Sequence, residues 1–308
     1  ATALIVSDLF LATFERVIQN NAQLQSLALV TASLSEFFDQ PYQGMIAQKM
    51  QADAEAQGRS LKPSIVYATF TDALEIGKNL EQYIPIQHDI ALYQYTGGTT
   101  GRSKGAIISH QNVASLVKIT GDYLHAHESG FNHNDCILTA IPLYHIFAFS
   151  VNFLMFFEAG SHNLLIPSPR PVSNLKPAFE KFKVTWLTGV DTLYAGLLAE
   201  SWFTANPPKL TCSISGGTAL RPATAEHWKA KVGTIIEGFG MTETSCAALL
   251  HPPIREIRQG SVGFPLPGSD IKIVNEQGHE VRLGEAGELC TKGPQIVLGY
   301  LNRPTETA

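Results

Sequence analysis

The order of apolar and polar positions predicts a chain that alternates strands and helices for most of its length. Ala3-Leu-Ile-Val-Ser7 is an apolar run of strand length. Asp8 follows as a candidate helix cap, and Phe10, Phe14, Val17 and Ile18 then recur at helical spacing on one face. Ser26 to Thr31 predicts the next strand and completes a β–α–β unit, the mark of a parallel sheet with helices on its faces. Gln40 to Pro63 is rich in Gln and Ala and poor in aliphatics, which predicts a linker or surface insertion. Asp89 to Tyr95 and Ala106 to Ser109 predict two strands flanking a Gly/Thr loop, because a helix rarely opens with β-branched residues after glycine. Alternation resumes through strands at Cys136–Ile141, Leu164–Pro167, Val184–Leu187, Cys212–Ser215 and Thr234–Glu237. The longest apolar run, Ile146 to Phe157, contains Asn152 and is about a dozen residues, against about 20 for a bilayer span. It predicts a buried helix. From about Ser261 the pattern turns to short strands, Asp270–Val274 and Glu288–Thr291, between Gly/Pro turns. The expected class is α/β: parallel-sheet layers, with the start of a β-rich subdomain at the C-terminal end.

Composition narrows this picture. Hydrophobic residues make up 44% of the 308, which excludes a disordered chain. Charged residues are 16%, below the ~25% of an average globular protein, so parts outside this sequence are expected to cover some of its surface. The net charge of −5 and the lack of a basic stripe give no footprint for nucleic acid. Cys136, Cys212, Cys246 and Cys290 form no CxxC pair and suggest reduced thiols in a cytosolic setting.

Residues 95 to 105, Tyr-Thr-Gly-Gly-Thr-Thr-Gly-Arg-Ser-Lys-Gly, carry the strongest chemical signal. Gly97, Gly98 and Gly101 let backbone N–H groups approach an oxyanion without side-chain collision. Thr96, Thr99 and Thr100 add hydroxyl donors, and Lys104 adds a cation. Such a loop suits a nucleoside triphosphate tail; the bland alternative is a surface turn. The register around Lys104 fails the P-loop pattern. Gly101-Arg-Ser-Lys-Gly105 matches a hydrolase nucleophile elbow in spelling only, since a strand and not a helix is predicted after Ser103.

The loop resembles the phosphate-binding signature of the adenylate-forming superfamily, which holds acyl-CoA synthetases, luciferase and peptide-synthetase adenylation domains. Further matches follow in that family's order. Pro142-Leu-Tyr-His-Ile-Phe-Ala148 resembles its acyl-binding helix entrance, and Ser215-Gly-Gly-Thr-Ala-Leu220 the strand end that borders the adenine. Glu237-Gly-Phe-Gly-Met-Thr-Glu243 resembles the adenine-stacking and magnesium motif. Gly287-Glu-Leu-Cys-Thr-Lys-Gly-Pro294, continuing to Gly299-Tyr300 and Pro304, resembles the segment near the end of the large domain. The wording is most like bacterial long-chain fatty-acid–CoA ligases.

The resemblance implies roles residue by residue. Thr96 to Gly101 would bind phosphates, Gly216, Gly217, Thr218, Gly238, Phe239 and Gly240 would border the nucleotide, and Lys104 and Thr242 would assist adenylation. Glu243, with Thr96, would hold Mg²⁺, a carboxylate whose alternative role is a helix cap. His145 would orient the substrate carboxylate and Phe149 would gate the fatty-acid tunnel; core filling is the alternative for both. Phe239 stands where the family usually has Tyr, which keeps stacking and loses a hydroxyl. His125, His127 and His133 match no recognised zinc spacing and are expected to be solvated.

Residues 1–308 are therefore expected to be a truncated large domain. It would comprise an α/β part at 1–88, a nucleotide- and acyl-binding core at 89–250 and an incomplete β-rich subdomain at 251–308. The family's ribose-holding aspartate, its small C-terminal domain and that domain's lysine would lie outside it, leaving the piece inactive. The implied substrates are ATP, a fatty acid and coenzyme A. The expected location is the cytoplasm, including a peripheral place on the inner face of the membrane. Alternatives are a ligase for other acyl or aryl acids, or a nucleotide-binding module without turnover.

Overall fold

A computed structural model describes residues 3–61, 67–80, 90–97, 103–127, 130–253, 257–258 and 260–307. The chain forms two compact units, Ala1–Ile84 and Pro85–Ala308.

In the first unit β1 (Ala3–Ser7), β2 (Ala28–Ala32) and β3 (Ala68–Thr69) form a parallel sheet, with Ala3 opposite Ala28. The expected β–α–β unit is present, with two corrections. Ser7, not Asp8, caps: its Oγ accepts from the Leu9 N–H at 3.4 Å and opens a 3₁₀ turn, Asp8–Phe10. Helix α1 (Leu11–Gln19) then buries Leu11, Glu15 and Ile18, while Phe10, Phe14 and Val17 face solvent. The tighter 3₁₀ turn resets the phase of the helix. The expected linker at 40–63 contains helix α2 (Tyr42–Ala56). Gln, Ala, Met, Lys and Glu are strong helix formers, and few aliphatics mean only that little is buried, here Ala54. Helix α3 (Phe70–Gly77) follows, its capping box closed by Thr69 and Asp72.

The second unit opens with the predicted hairpin, β4 (Ile90–Thr96) antiparallel to β5 (Lys104–Ser109), with Thr96 opposite Lys104. Ser109 then caps helix α4 (His110–Ala126) in a capping box with Asn112. Strands β6 (Cys136–Thr139), β7 (His162–Leu165), β8 (Trp186–Gly189), β9 (Cys212–Ser215) and β10 (Ile235–Phe239) run parallel. Strands β11 (Leu249–Leu250) and β12 (Phe264–Pro265) extend the sheet antiparallel, giving the order β12-β11-β10-β9-β8-β6-β7. Helices α5 (Phe156–Glu158), α6 (Lys176–Lys181), α7 (Asp191–Ala199), α8 (Ser201–Ala205) and α9 (Pro222–Lys231) lie in the connections. Strands β13 (Asp270–Val274) and β14 (Glu288–Lys292) form a separate hairpin, and α10 (Pro304–Thr307) ends the described chain.

Alternate residues of the parallel strands enter different cores, which explains their nearly continuous apolar spelling. Ile137, Trp186, Ile214 and Ile236 join Leu116, Tyr123, Val151 and Phe156 in one core. Leu138, Leu187 and Ile235 join Tyr194, Leu197, Phe203 and Trp228 in the other. The apolar run after Ile146 forms a π-helix, Ala148–Met155, continuous with α5, and is only partly buried, with Phe157 in solvent. Its Asn152 is fully buried: Nδ2 donates to Thr139 Oγ1 at 3.0 Å, and Oδ1 accepts from Thr188 Oγ1 at 2.8 Å. No helix among the described residues is long and apolar enough to cross a membrane.

Candidate active site

Open α/β sheets bind ligands beyond the carboxyl ends of their parallel strands. There, β9 ends at Ser215 and runs into Gly216-Gly217, while β10 ends at Phe239 and runs into Gly240-Met241. Gly217 has a φ of 79°, in the left-handed region. A Cβ at Gly240 would lie 1.6 Å from the Cys246 carbonyl oxygen, so the chain passes itself there only as glycine.

Facing these ends is the turn before the π-helix. The His145 N–H donates to the Pro142 carbonyl at 2.9 Å, and the Phe149 N–H donates to the His145 carbonyl at 3.0 Å. The Phe147 N–H donates to His145 Nδ1 at 3.3 Å. Nδ1 is therefore an acceptor, and in the neutral ring the proton belongs on Nε2, free to donate to a ligand. His145, Phe147, Val151, Gly216, Phe239 and Met241 line one pocket, with Gly217, Gly238 and Gly240 also in its wall. The wall is mostly apolar. Its Cys246 thiol is pushed up to about 12 by burial, so it is a neutral wall group and no nucleophile. Phe149 stacks along the helix, 6.0 Å from Phe153, and does not line this pocket; nor does Thr218, which is exposed.

A polar cluster adjoins it. β10 stops at Phe239, and Glu243 sits beyond it in a 3₁₀ turn, Thr242–Thr244, together with half-buried Thr242. The break follows from local chemistry: Thr244 Oγ1 accepts from the Met241 N–H at 3.0 Å, and Ser245 is left-handed at φ 52°. The Tyr300 hydroxyl donates to Glu243 Oε1. Lys104 Nζ lies 5.4 Å from the centre of the Tyr300 ring, a cation–π contact. Burial, reinforced by the hydrogen bond to Glu243 and its charge, pushes the Tyr300 phenol up to about 12. At the mouth of the hairpin the Thr96 hydroxyl donates to the Lys104 carbonyl at 3.4 Å, and Gly97 beside it is exposed. Gly98, Thr99, Thr100 and Gly101 lie outside the described residues.

Segment 294–301 holds the cluster together. The Leu298 N–H donates to the Ile107 carbonyl at 3.0 Å and the Leu301 N–H to the Gly105 carbonyl at 2.8 Å, beside β5. Asn112 Nδ2 donates to the carbonyls of Pro294 and Ile296 at 2.9 and 2.8 Å, and the Val297 N–H donates to the Glu243 carbonyl at 3.0 Å. Hairpin, helix and Glu243 turn thus share one strip of chain. Gln94 Nε2 ties the hairpin to the His145 turn, donating to the Tyr144 carbonyl at 2.8 Å.

Among the described residues no three His, Cys, Asp or Glu side chains converge as a metal site. Glu243 offers a single carboxylate, a donor set that fits Mg²⁺ shared with substrate phosphates. The histidines expected to be solvated are not simply so: exposed His125 packs 5.2 Å from Phe131, and half-buried His127 sits 4.7 Å from Tyr123, edge on. The role of Tyr300 is not legible in the sequence. Its partner is 57 residues away, and nothing in local spelling points across such a gap.

The profile of the AMP-binding enzyme family matches residues 2–301. The long-chain-fatty-acid–CoA ligase of Salmonella typhimurium LT2 is 39% identical over 244 residues, 78% of this chain and 43% of that protein. The Bacillus subtilis enzyme of the same name is 32% identical over 225 residues, 72% of this chain and 40% of that protein. The chain thus spans less than half the length of these relatives. In structure it is similar to anthranilate CoA ligase AuaEII in complex with anthranoyl-AMP, with a TM-score of 0.77 at 24% identity, covering 100% of this chain and 54% of that one.

Proposed function

Because the chain belongs to the AMP-binding enzyme family, we propose that it forms the nucleotide- and acid-binding part of a long-chain fatty-acid–CoA ligase. A carboxylate oxygen of the fatty acid attacks the α-phosphorus of ATP, the bond to the β-phosphate breaks, and diphosphate leaves with its electrons. The thiolate of coenzyme A then attacks the acyl carbonyl and AMP departs. The observation that carries this proposal is the convergence of His145, Gly216, Gly217, Gly238, Phe239 and Gly240 on one apolar pocket, beside the Glu243–Tyr300–Lys104 cluster.

His145 Nε2 donates to the acid and aligns it for in-line attack. The Phe239 ring stacks on adenine, bordered by the backbone of Gly216, Gly217 and Thr218. Thr242 meets the α-phosphate. Loop residues Gly97 to Gly101, with Lys104, neutralise charge as it develops on the leaving diphosphate. Glu243 would hold a magnesium ion, which when bound would supply further charge neutralisation. Phe149 stays outside the pocket wall, which leaves it a tunnel role only deeper along the helix. The apolar wall favours an apolar acid, and the names of the curated relatives support a long chain.

The test is ATP–pyrophosphate exchange by the complete gene product with palmitate, octanoate or benzoate. Exchange driven best by palmitate supports the proposal. Exchange with benzoate alone makes it an aryl-acid ligase, and ATP binding with no exchange makes it a nucleotide-binding module.

A further inference from the structure

The π-helix and the Glu243 turn are joined by a hydrogen-bonded chain that the reaction scheme above does not use. Ser150, on the π-helix, donates from Oγ to the Ser245 carbonyl at 2.8 Å. Ser245 donates from its own Oγ to the Gln295 carbonyl at 2.7 Å. Gln295 Nε2 donates to Ser269 Oγ at 2.6 Å. Ser150, Ser245 and Gln295 are 1%, 0% and 0% exposed, so the Ser150–Ser245–Gln295 links are shielded from water.

The middle residue is also the strained one. Ser245 and Cys246 take φ values of 52° and 138°, rare for residues with a side chain. Such backbone persists only where surrounding contacts over-determine it. Here the contacts come from both sides: the acid-side helix through Ser150 and the segment that carries Tyr300 through Gln295. Thr242 and Glu243 sit immediately before the left-handed pair, so their direction depends on it. At its other side the π-helix is tied to the sheet by Asn152, through Thr139 and Thr188. The helix is thus fixed to the strand ends, and the turn is fixed to the helix.

We propose that Ser150, Ser245 and Gln295 hold the Thr242–Glu243 turn in register with the acid-binding helix, which makes Ser150 and Ser245 positioning residues for adenylate formation. This rests on the function proposed above. A ligand that seats against His145, Phe147 and Val151 presses on the helix whose next turn carries Ser150, so acid and phosphate sites share one rigid reference. Misplacement of a catalytic group by about 1 Å can cost about a hundredfold in rate.

The experiment is a double-mutant cycle in the complete gene product, read by pyrophosphate exchange with palmitate and by melting temperature. Ser150→Ala is expected to lower kcat roughly tenfold, with KM for ATP and palmitate within about twofold and the melting temperature lowered by only a few degrees, since the buried Ser245 carbonyl loses its donor. Because its effect runs through the turn, adding it to Glu243→Gln should cost little beyond Glu243→Gln alone. If Ser150→Ala does not fold, Ser245→Gly carries the same test, since it removes the link to Gln295 and relieves the left-handed backbone. Unchanged kcat, or losses that multiply in the double mutant, would overturn the positioning role. Absence of exchange in the wild-type protein would instead refute the ligase proposal itself.

Discussion

At the scale of single residues the site rests on pairs that neither partner reveals alone. Tyr300 donates to Glu243 and lies under Lys104; because its phenol is pushed up to about 12, it stays protonated and keeps donating throughout the working range. The sign is that of a raised acid: stability from the neutral hydroxyl is complete below about pH 10 and is lost only as pH rises through about 12. The pH–rate profile should therefore show no tyrosine inflection between pH 6 and 10, and Tyr300→Phe should leave its shape unchanged. That variant removes one hydrogen bond to a charged group, about 1.5–3 kcal/mol, and should reduce exchange roughly tenfold or more. An unaltered rate would mean that Tyr300 only packs. Glu243→Gln keeps an acceptor for Tyr300 but offers magnesium a poor ligand. Exchange should fall, recover partly at high Mg²⁺, and leave the melting temperature within a degree or two. A large drop in melting with unchanged magnesium dependence would make Glu243 a structural residue.

At the scale of elements the termini of helices decide which parts of the sequence announce themselves. Asp191 opens α7 and accepts from the Arg221 N–H at 3.0 Å and from Arg221 Nε at 2.6 Å, joining the start of α9 to the start of α7. Burial raises its carboxyl, but hydrogen bonds from the Arg221 backbone, Thr224 and the Arg221 side chain, and then the Arg221 charge, bring it below the ordinary carboxylate value. The contribution is therefore present above about pH 4 and fades as pH falls through the lower folded value. Asp191→Ala should cost about 1.5–3 kcal/mol, toward the low end because the Arg221 side chain is largely exposed. Melting curves from pH 3 to 7 should show the mutant deficit shrinking in acid; a constant deficit would refute the ion pair. This junction was not legible in the sequence, since the partners lie on different helices. Cys212–Ser215 coincides with β9, whose spelling alternates apolar residues with two small buried serines, Ser213 accepting from Trp228 Nε1 at 3.2 Å. The β4–β5 hairpin was legible because β-branched residues after glycine exclude a helix. Helix α2 was missed because its face is hardly buried, so periodicity had nothing to report and only propensity could have spoken. For the site, glycine-rich spelling marked Gly216, Gly217, Gly238 and Gly240. The anchoring roles of Ser150, Ser245 and Gln295 stayed hidden because they arise from long-range contacts between ordinary polar residues.

At the scale of the whole molecule the candidate site is confined to the second unit. Every residue of its pocket and of the Lys104–Tyr300–Glu243 cluster belongs to Pro85–Ala308, whereas Ala1–Ile84 has its own parallel sheet. Ligand binding stabilises what it touches by mass action: at a hundred times Kd the gain is about 2.7 kcal/mol, a factor of about 100 in opening. Hydrogen exchange reports this amide by amide. A non-hydrolysable acyl-adenylate analogue added to the protein should slow exchange up to about a hundredfold in β9, β10, the Thr242–Thr244 turn and segment 294–301. Strands β1 and β2 should change little. Segment 294–301 is the telling case, because it does not line the pocket and is joined to it through Glu243, Ser245 and Ala247, with Asn112 and the hairpin on its other side. Protection in β9 and β10 without protection in 294–301 would show that the nucleotide end is not engaged through Glu243. Equal protection in β1 and β2 would show that the two units respond as one body, and that the confinement of the site to Pro85–Ala308 does not hold in solution.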